Sequence, residues 1–128
     1  MSRKRYSIAV DFDGVIHRYG KGWHDGTVYD EPMPGALEAL ARIHRRYRVV
    51  ILTTRVNPGL HGGDAQLASV EAWLERHGFV KGEHYDEVTH EKVPALVYID
   101  DRALHFDNWD QALDELGQRY RLPKRAES

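Results

Sequence analysis

Two pairs of carboxylates, each directly after an apolar run, are the residues in this chain best suited to do chemistry. Asp11 and Asp13 follow the first run, and Asp100 and Asp101 follow a later one. Carboxylates brought together are costly to desolvate unless a cation meets them. A surface loop can also carry Asp-x-Asp by chance, so the elements that position the two pairs decide between a site and a coincidence.

Apolar runs and helical periodicity predict an alternation of strands and helices along the chain. Buried strands are predicted at 6–11, 49–52 and 95–99, with a shorter strand near 85–88. Amphipathic helices are predicted at 34–46, 64–78 and 109–120. Asn108 and Gln111 at the start of the last helix resemble a capping box. Because the strands are apolar throughout, we expect an α/β fold with a mainly parallel sheet covered by helices on both faces.

The length of 128 residues corresponds to one domain. We expect this domain to span 1–128, with a core at about 6–119 and a frayed tail at 121–128. The segment 14–33 is rich in glycine, proline and aromatic residues, and it predicts a loop or small hairpin beside the end of the first strand. His17 and Trp23 in this loop are candidates for binding substrate, although packing of the loop onto the body explains them at least as well.

The ends of the predicted strands converge, because the carboxyl ends of parallel strands lie at one edge of the sheet. The residues at these ends suit phosphate and metal chemistry: Asp11, Asp13, Thr53, Asp100 and Asp101. Lys92 lies in the loop just before the strand at 95–99. Mg²⁺ prefers carboxylate, carbonyl, water and phosphate oxygens, so the set predicts Mg²⁺-assisted phosphoryl transfer.

Each residue of this set has a role in such a reaction. Asp11 is suited to attack phosphorus and form an aspartyl-phosphate. Asp13 is suited to protonate the leaving oxygen and then to deprotonate the attacking water. The Thr53 hydroxyl and the Lys92 ammonium are expected to hold the phosphate oxygens, where negative charge must be neutralised.

The residues that directly follow these strand ends are candidates for binding the rest of a substrate. Thr54 and Arg55 come after the second strand, and Arg102 comes after the last carboxylate pair. An arginine there suits a second substrate anion, because its guanidinium can donate two parallel hydrogen bonds. An ion pair with a neighbouring carboxylate is the alternative for both arginines.

Four segments, in order, resemble the four motifs of the haloacid dehalogenase (HAD) superfamily. They are Asp11-Phe12-Asp13-Gly14-Val15, the apolar run that ends in Thr53, Lys92, and Ile99-Asp100-Asp101. The resemblance covers about 6–119. It implies a Rossmann-like, three-layered α/β/α sandwich and Mg²⁺-dependent hydrolysis of a phosphomonoester.

The resemblance also implies what the individual carboxylates do. By resemblance Asp11 is the nucleophile, and Asp13 is the general acid and base whose backbone carbonyl also binds the metal. Asp100 and Asp101 complete the metal site, and Asp101 is favoured as the direct ligand without the sequence settling the choice. Thr53 matches the second motif because it directly follows the apolar run.

The gaps between the four motifs are too short for the cap domain that HAD enzymes usually insert. The chain therefore resembles the capless subgroup, whose open sites often admit large substrates or are closed by a partner subunit. A phosphometabolite, a nucleotide and a nucleic-acid phosphate end are all candidate substrates, and a homo-oligomer stays open. The alternative is a non-catalytic HAD-like module that binds phosphate or metal, which would be expected to lack Asp11 or Asp13.

Composition excludes several other classes of protein. Lys and Arg number 18 against 20 Asp and Glu, and a net charge of −2 gives no overall attraction to nucleic acid or membrane. The absence of cysteine excludes disulfides and thiolate metal sites. No apolar stretch approaches the roughly 20 residues that span a bilayer. Because the N-terminus also lacks a signal-peptide core, we expect a cytoplasmic protein.

Overall fold

A four-stranded sheet lies at the centre of the protein in a computed structural model that describes residues 4, 6–60 and 62–119. In chain order the elements are β1 (Ser7–Asp11), α1 (Ala36–His44), β2 (Arg48–Leu52), α2 (Asp64–Arg76), β3 (Glu87–Thr89), β4 (Val97–Ile99) and α3 (Trp109–Arg119). The predicted frayed tail at 121–128 lies outside the described residues. This alternation of strands and helices confirms the α/β fold.

The strands lie in the order β3-β2-β1-β4, and every neighbouring pair is parallel. β1 lies between β2 and β4, so that Ala9 is opposite both Val50 and Tyr98. Because all four strands run in the same direction, their carboxyl ends meet at one edge of the sheet. The predicted convergence of the strand ends is therefore confirmed.

The main core lies between one face of the sheet and the first two helices. Its members alternate along β1 and β2 and come from the inner sides of α1 and α2: Ile8, Val10, Val49, Ile51, Leu40, Val70, Trp73 and Leu74. α1 and α2 thus cover the same face, because both connections step across the sheet in the same direction. Ala9 and Val50 on the other face are also buried, which is why the central strands are apolar throughout.

β4 is shorter and more exposed than the sequence predicts. It spans Val97–Ile99 rather than 95–99, and all three of its residues are exposed. The prediction of a buried strand is wrong here because β4 is an edge strand that, among the described residues, pairs with β1 alone. An apolar run does not distinguish an edge strand from a central one.

Two helical turns also differ from the predicted boundaries. α1 begins at Ala36 rather than at Pro34, because Gly35 adopts a left-handed conformation with φ 85° at the N-cap. A single 3₁₀ turn, Thr54–Val56, follows β2 where no helix was predicted. Among the described residues, no helix combines the length and apolar character needed to cross a membrane.

The segment 14–33, called the flap from here on, folds back beside the end of β1. The Arg18 N–H donates to the Glu31 carbonyl at 2.9 Å, and the Met33 N–H donates to the Ile16 carbonyl at 2.7 Å. The flap thus begins and ends as a short two-stranded pairing, which agrees with the predicted loop or small hairpin. Its aromatic residues lie in the stretch between these two contacts, above the carboxyl edge of the sheet.

Candidate active site

Three carboxylates meet at the carboxyl edge of the sheet. Asp11, Asp100 and Asp101 each offer one oxygen atom, and these atoms all lie within 4.8 Å of one another. Asp11 ends β1, whereas the other two directly follow β4, the strand that pairs with β1. A set made only of carboxylate oxygens fits a hard divalent cation.

Gly14 makes room for one of these carboxylates. Its φ is +84°, and a Cβ at this position would lie 2.3 Å from Oδ2 of Asp101. Any other residue would therefore displace Asp101 as well as strain the backbone. The close approach of Asp101, which follows β4, therefore explains why position 14 of the Asp-x-Asp-Gly segment is a glycine.

The Asp11 carboxylate is unfavourable in its charged form when no cation is present. Burial and the neighbouring Asp100 carboxylate raise the pKa of Asp11 from 3.8 to about 7. The Phe12 N–H donates to Oδ1 of Asp11 at 2.9 Å and offsets only part of this effect. A cation held by the three carboxylates would relieve the repulsion, and its binding would release a proton.

The Asp13 carboxylate is held by two buried side chains. Nδ1 of His17 lies 2.8 Å from Oδ1 of Asp13, and Nε of Arg55 donates to Oδ2 at 2.7 Å. Burial alone would raise the pKa of Asp13, but the hydrogen bonds from His17 and Arg55 hold it below its usual value. Asp13 is therefore an ionised group in a fixed orientation. The expected contact between its backbone carbonyl and a metal stays a prediction.

His17 supports Asp13 from the protein interior. Its side chain is fully buried, and its Nε2 accepts the Asp30 N–H at 3.0 Å. Because that bond requires a lone pair on Nε2, the ring proton is on Nδ1 and is donated to Asp13. The sequence suggested His17 as a substrate-binding residue, but the structure places it behind Asp13 and away from the cavity wall.

Arg55 joins the acidic edge of the sheet to the flap. Its side chain is 1% exposed, and its Nη1 donates to the Gly26 carbonyl at 2.9 Å. Its guanidinium carbon lies 4.8 Å from the ring of Trp23 and 5.6 Å from the ring of Tyr19. Nη2 is buried and has no hydrogen-bond partner among the described residues. Of the two predicted roles for Arg55, the structure shows the ion pair with a neighbouring carboxylate.

The residues predicted to hold phosphate line a cavity beside the carboxylates. Thr53 is buried, and its Oγ accepts the Arg55 N–H at 3.2 Å, which leaves the hydroxyl proton available for an oxygen of a ligand. Thr54 and Lys92 are exposed in the cavity wall. Nζ of Lys92 lies 5.2 Å from the centre of the Tyr98 ring.

The cavity has a volume of about 490 Å³ and includes residues outside the predicted site. His90 lines it because it directly follows β3 at the carboxyl edge, so the rule that found the other strand ends could have found it. Tyr98 lines it because β4 is exposed, and the sequence does not predict the exposure of this strand. Of the residues that the sequence suggested for binding substrate, Trp23 and Arg102 also line the cavity, as does Tyr19 of the flap.

Comparisons with known proteins found no relative of this chain. No protein-family model matches the chain, and neither the curated proteins nor the solved structures searched contain a match. The function of the protein is therefore inferred from its parallel sheet, its acidic cluster and its cavity.

Proposed function

We propose that this protein is a Mg²⁺-dependent phosphatase that hydrolyses a phosphomonoester through an aspartyl-phosphate on Asp11. The observation that carries the proposal is the convergence of three carboxylates within 4.8 Å, beside the cavity that Thr53 and Lys92 line. A phosphoryl group must have its charge neutralised on several sides at once, and this combination offers a cation site, a hydroxyl and an ammonium. The proposal includes a HAD-like, three-layered fold without a cap and a cytoplasmic location.

The metal would be held by the carboxylates of Asp11, Asp100 and Asp101 and by the backbone carbonyl of Asp13. When bound, Mg²⁺ neutralises charge on the phosphate oxygens. The all-oxygen donor set and the raised pKa of Asp11 both support a cation at this point. Gly14 allows the Asp101 side chain to approach closely enough to contribute.

The reaction divides into two displacements at phosphorus. First, a carboxylate oxygen of Asp11 bonds to phosphorus, the bond to the leaving oxygen breaks, and that oxygen takes a proton from Asp13. Second, a water molecule gives a proton to Asp13 while the water oxygen bonds to phosphorus. The bond between phosphorus and the Asp11 oxygen breaks, which releases inorganic phosphate and restores the Asp11 carboxylate. Thr53 and Lys92 hold the remaining phosphate oxygens throughout.

Asp13 alternates between its two protonation states in this cycle. Its hydrogen bonds with His17 and Arg55 favour the ionised form, which is the form that takes a proton from water in the second step. The first step needs the protonated form, and a phosphate dianion bound next to Asp13 favours that form because like charges repel. The two supporting side chains also fix the orientation of the Asp13 carboxylate, since each holds one of its oxygens.

Phosphate release across a panel of phosphomonoesters tests this proposal. Sugar phosphates, nucleotides and 5′- or 3′-phosphorylated oligonucleotides are incubated with Mg²⁺, with chelator, and with the Asp11→Asn variant. Turnover that requires both Mg²⁺ and Asp11 supports the proposal. Turnover that persists in Asp11→Asn would contradict it, because a contaminant or another residue would then be responsible.

A non-catalytic module that binds phosphate or metal is the second candidate function. The observation that favours it is that both oxygens of Asp13 are already engaged, by His17 and Arg55. A binding module would take up Mg²⁺ or phosphate with measurable affinity and release no phosphate from any ester. Calorimetric titration with Mg²⁺, alongside the release assay, separates the two candidates.

A further inference from the structure

The cavity is larger than a phosphoryl group requires, and part of its wall is aromatic. A volume of about 490 Å³ falls in the range of pockets that enclose whole small molecules. The cavity is lined by Asp11 and Thr53 from the strand ends and also by Tyr19 and Trp23 of the flap. A ligand that fills the cavity therefore carries, besides its phosphate, a group that an aromatic wall would bind.

The ring of Trp23 is fixed in place before any ligand arrives. The guanidinium carbon of Arg55 lies 4.8 Å from the ring, and Arg55 is itself anchored by Asp13 and by the Gly26 carbonyl. Gly26 approaches the ring so closely that a Cβ there would lie 2.9 Å from Cζ2 of Trp23. A ring that is already ordered loses little conformational entropy on binding, which favours stacking.

The same ring remains accessible from the cavity. Trp23 keeps 38% of its surface exposed although it contacts Arg55, and it lines the same cavity as Asp11. Next to it, burial and the Asp13 carboxylate raise the pKa of the Tyr19 hydroxyl, which therefore stays neutral and able to donate a hydrogen bond. Arg102 adds an exposed cation to this part of the wall.

We propose that the substrate is a phosphomonoester bearing a planar base, of the nucleoside monophosphate class, and that Trp23 selects it by stacking on the base. This inference rests on the proposed function and names the substrate class of the same site. Stacking of a base on an aromatic side chain gives a preference on the order of 10- to 100-fold. A free nucleotide and the 5′-phosphate end of a nucleic acid share this chemistry, and the experiment distinguishes them.

The test compares a nucleoside 5′-monophosphate with ribose 5-phosphate, which carries the same phosphate ester and lacks the base. The ratio of their kcat/KM values is measured for the wild-type protein and for Trp23→Leu, which removes the ring, and Trp23→Phe, which keeps one. Trp109→Leu is the matched control, because Trp109 is 71% exposed and is not a cavity residue. A 5′-phosphorylated oligonucleotide is the third substrate.

The inference predicts a ratio on the order of 10 or more for the wild-type protein and for Trp109→Leu. It also predicts that Trp23→Leu lowers the ratio toward 1 through KM, while Trp23→Phe retains most of it. A higher kcat/KM for the oligonucleotide than for the nucleotide would identify a nucleic-acid end as the source of the base. If Trp23 has a purely structural role, Trp23→Leu would lower kcat/KM equally for both substrates. This outcome would overturn the inference while leaving the proposed phosphatase activity intact.

Binding to the Asp11→Asn variant provides a readout that does not depend on turnover. Calorimetric titration is expected to show the nucleotide binding more tightly than ribose 5-phosphate, and the difference should disappear when Trp23→Leu is added. If no ester is hydrolysed but this difference is found, the proposed catalysis fails and the base-binding site stands. Equal affinities for the two ligands would overturn the base-binding site whatever the activity.

Discussion

Nε of Arg55 lies 2.7 Å from Oδ2 of Asp13, and this contact joins the end of β2 to the end of β1. The arginine is almost fully buried, whereas the side chain of Asp13 is 19% exposed and faces the cavity. The ion pair therefore lies at the boundary between the core and the candidate site. It fixes the orientation of Asp13, and the opposite side of the guanidinium fixes the flap through the Gly26 carbonyl.

Replacing Arg55 is expected to reduce both activity and stability. Arg55→Met leaves Asp13 partly buried without its cationic partner, and breaking such a pair typically costs about 3–5 kcal/mol of unfolding free energy. Because Asp13 would also lose its fixed orientation, kcat should fall on the order of 100-fold. Urea denaturation and phosphate release measure the two effects.

Arg48→Met is the matched control for that variant. Arg48 also pairs with a carboxylate, Glu87, at 2.9 Å, but both side chains are more than 40% exposed. An exposed pair contributes about 0–1 kcal/mol, so stability and activity should change little. Equal losses in Arg48→Met and Arg55→Met would contradict the role assigned to the buried pair.

Gly14→Ala is expected to weaken metal binding without unfolding the protein. The new Cβ would lie 2.3 Å from Oδ2 of Asp101 and would force that carboxylate out of the acidic cluster. Metal affinity should fall on the order of 10- to 100-fold. Gly82→Ala is the control, because Gly82 has φ +91° and no atom of the described residues lies within 4 Å of an added Cβ. It carries a similar backbone strain, so an equal loss of metal affinity there would rule out displacement of Asp101 as the cause.

The raised pKa of Asp11 predicts how metal binding depends on pH. Burial and Asp100 raise that pKa to about 7, so below pH 7 a proton competes with the cation. Calorimetric titration should show Mg²⁺ affinity rising with pH up to about 7 and levelling off above it, with uptake of the metal releasing a proton. An affinity that stays constant between pH 5 and about 7 would contradict the raised pKa.

The same shift predicts the sign of a stability change in the metal-free protein. Asp11 keeps its proton up to about pH 7 when folded but loses it near 3.8 when unfolded, so the folded state binds more protons between these values. Its contribution to the unfolding free energy therefore falls as pH rises from about 4 to about 7. Thermal unfolding with chelator present measures this fall in stability, and the Asp11→Asn variant should not show it. Adding Mg²⁺ to the wild-type protein should restore the lost stability.

The tautomer of His17 is a prediction that needs no substrate. Because Nε2 accepts the Asp30 N–H at 3.0 Å, the proton should be on Nδ1. Nitrogen-15 NMR of the imidazole measures this directly at neutral pH. A proton on Nε2 of His17 would mean that the hydrogen bonds to Asp13 and Asp30 are not formed as described.

The sequence predicts the convergence of the strand ends because parallel strands share one carboxyl edge, and this reasoning placed Asp11, Thr53, Asp100 and Asp101 together. It does not predict which carboxylate joins which partner. Asp13 turns away from the acidic cluster because His17 and Arg55, both buried, hold its two oxygens. The contact with Arg55 joins residues 42 positions apart. His17 is only four residues from Asp13, but their contact depends on the irregular backbone of the flap, which no periodic pattern predicts.

Edge and central strands are also indistinguishable in the sequence. The run at 95–99 is as apolar as the central strands, yet β4 is exposed because it lies at the edge of the sheet, where β1 is its one partner in the described part of the chain. The sequence predicts that α1 begins at Pro34, which suits a first helical turn, but the helix begins at Ala36 because Gly35 adopts a left-handed conformation. The sequence does predict the capping contact at α3, because its two residues lie within one helical turn. The Gln111 N–H donates to Oδ1 of Asn108 at 2.9 Å.

Trapping a phosphoryl group on Asp11 tests the central claim most directly. The protein is mixed with Mg²⁺ and a nucleoside monophosphate, quenched in acid within one turnover, digested, and analysed by mass spectrometry. We predict one phosphoryl group on the peptide that contains Asp11, which hydroxylamine removes and which is absent with chelator or in Asp11→Asn. Phosphate release without any label on this peptide would contradict nucleophilic attack by Asp11, and Mg²⁺ binding without phosphate release would favour the binding module.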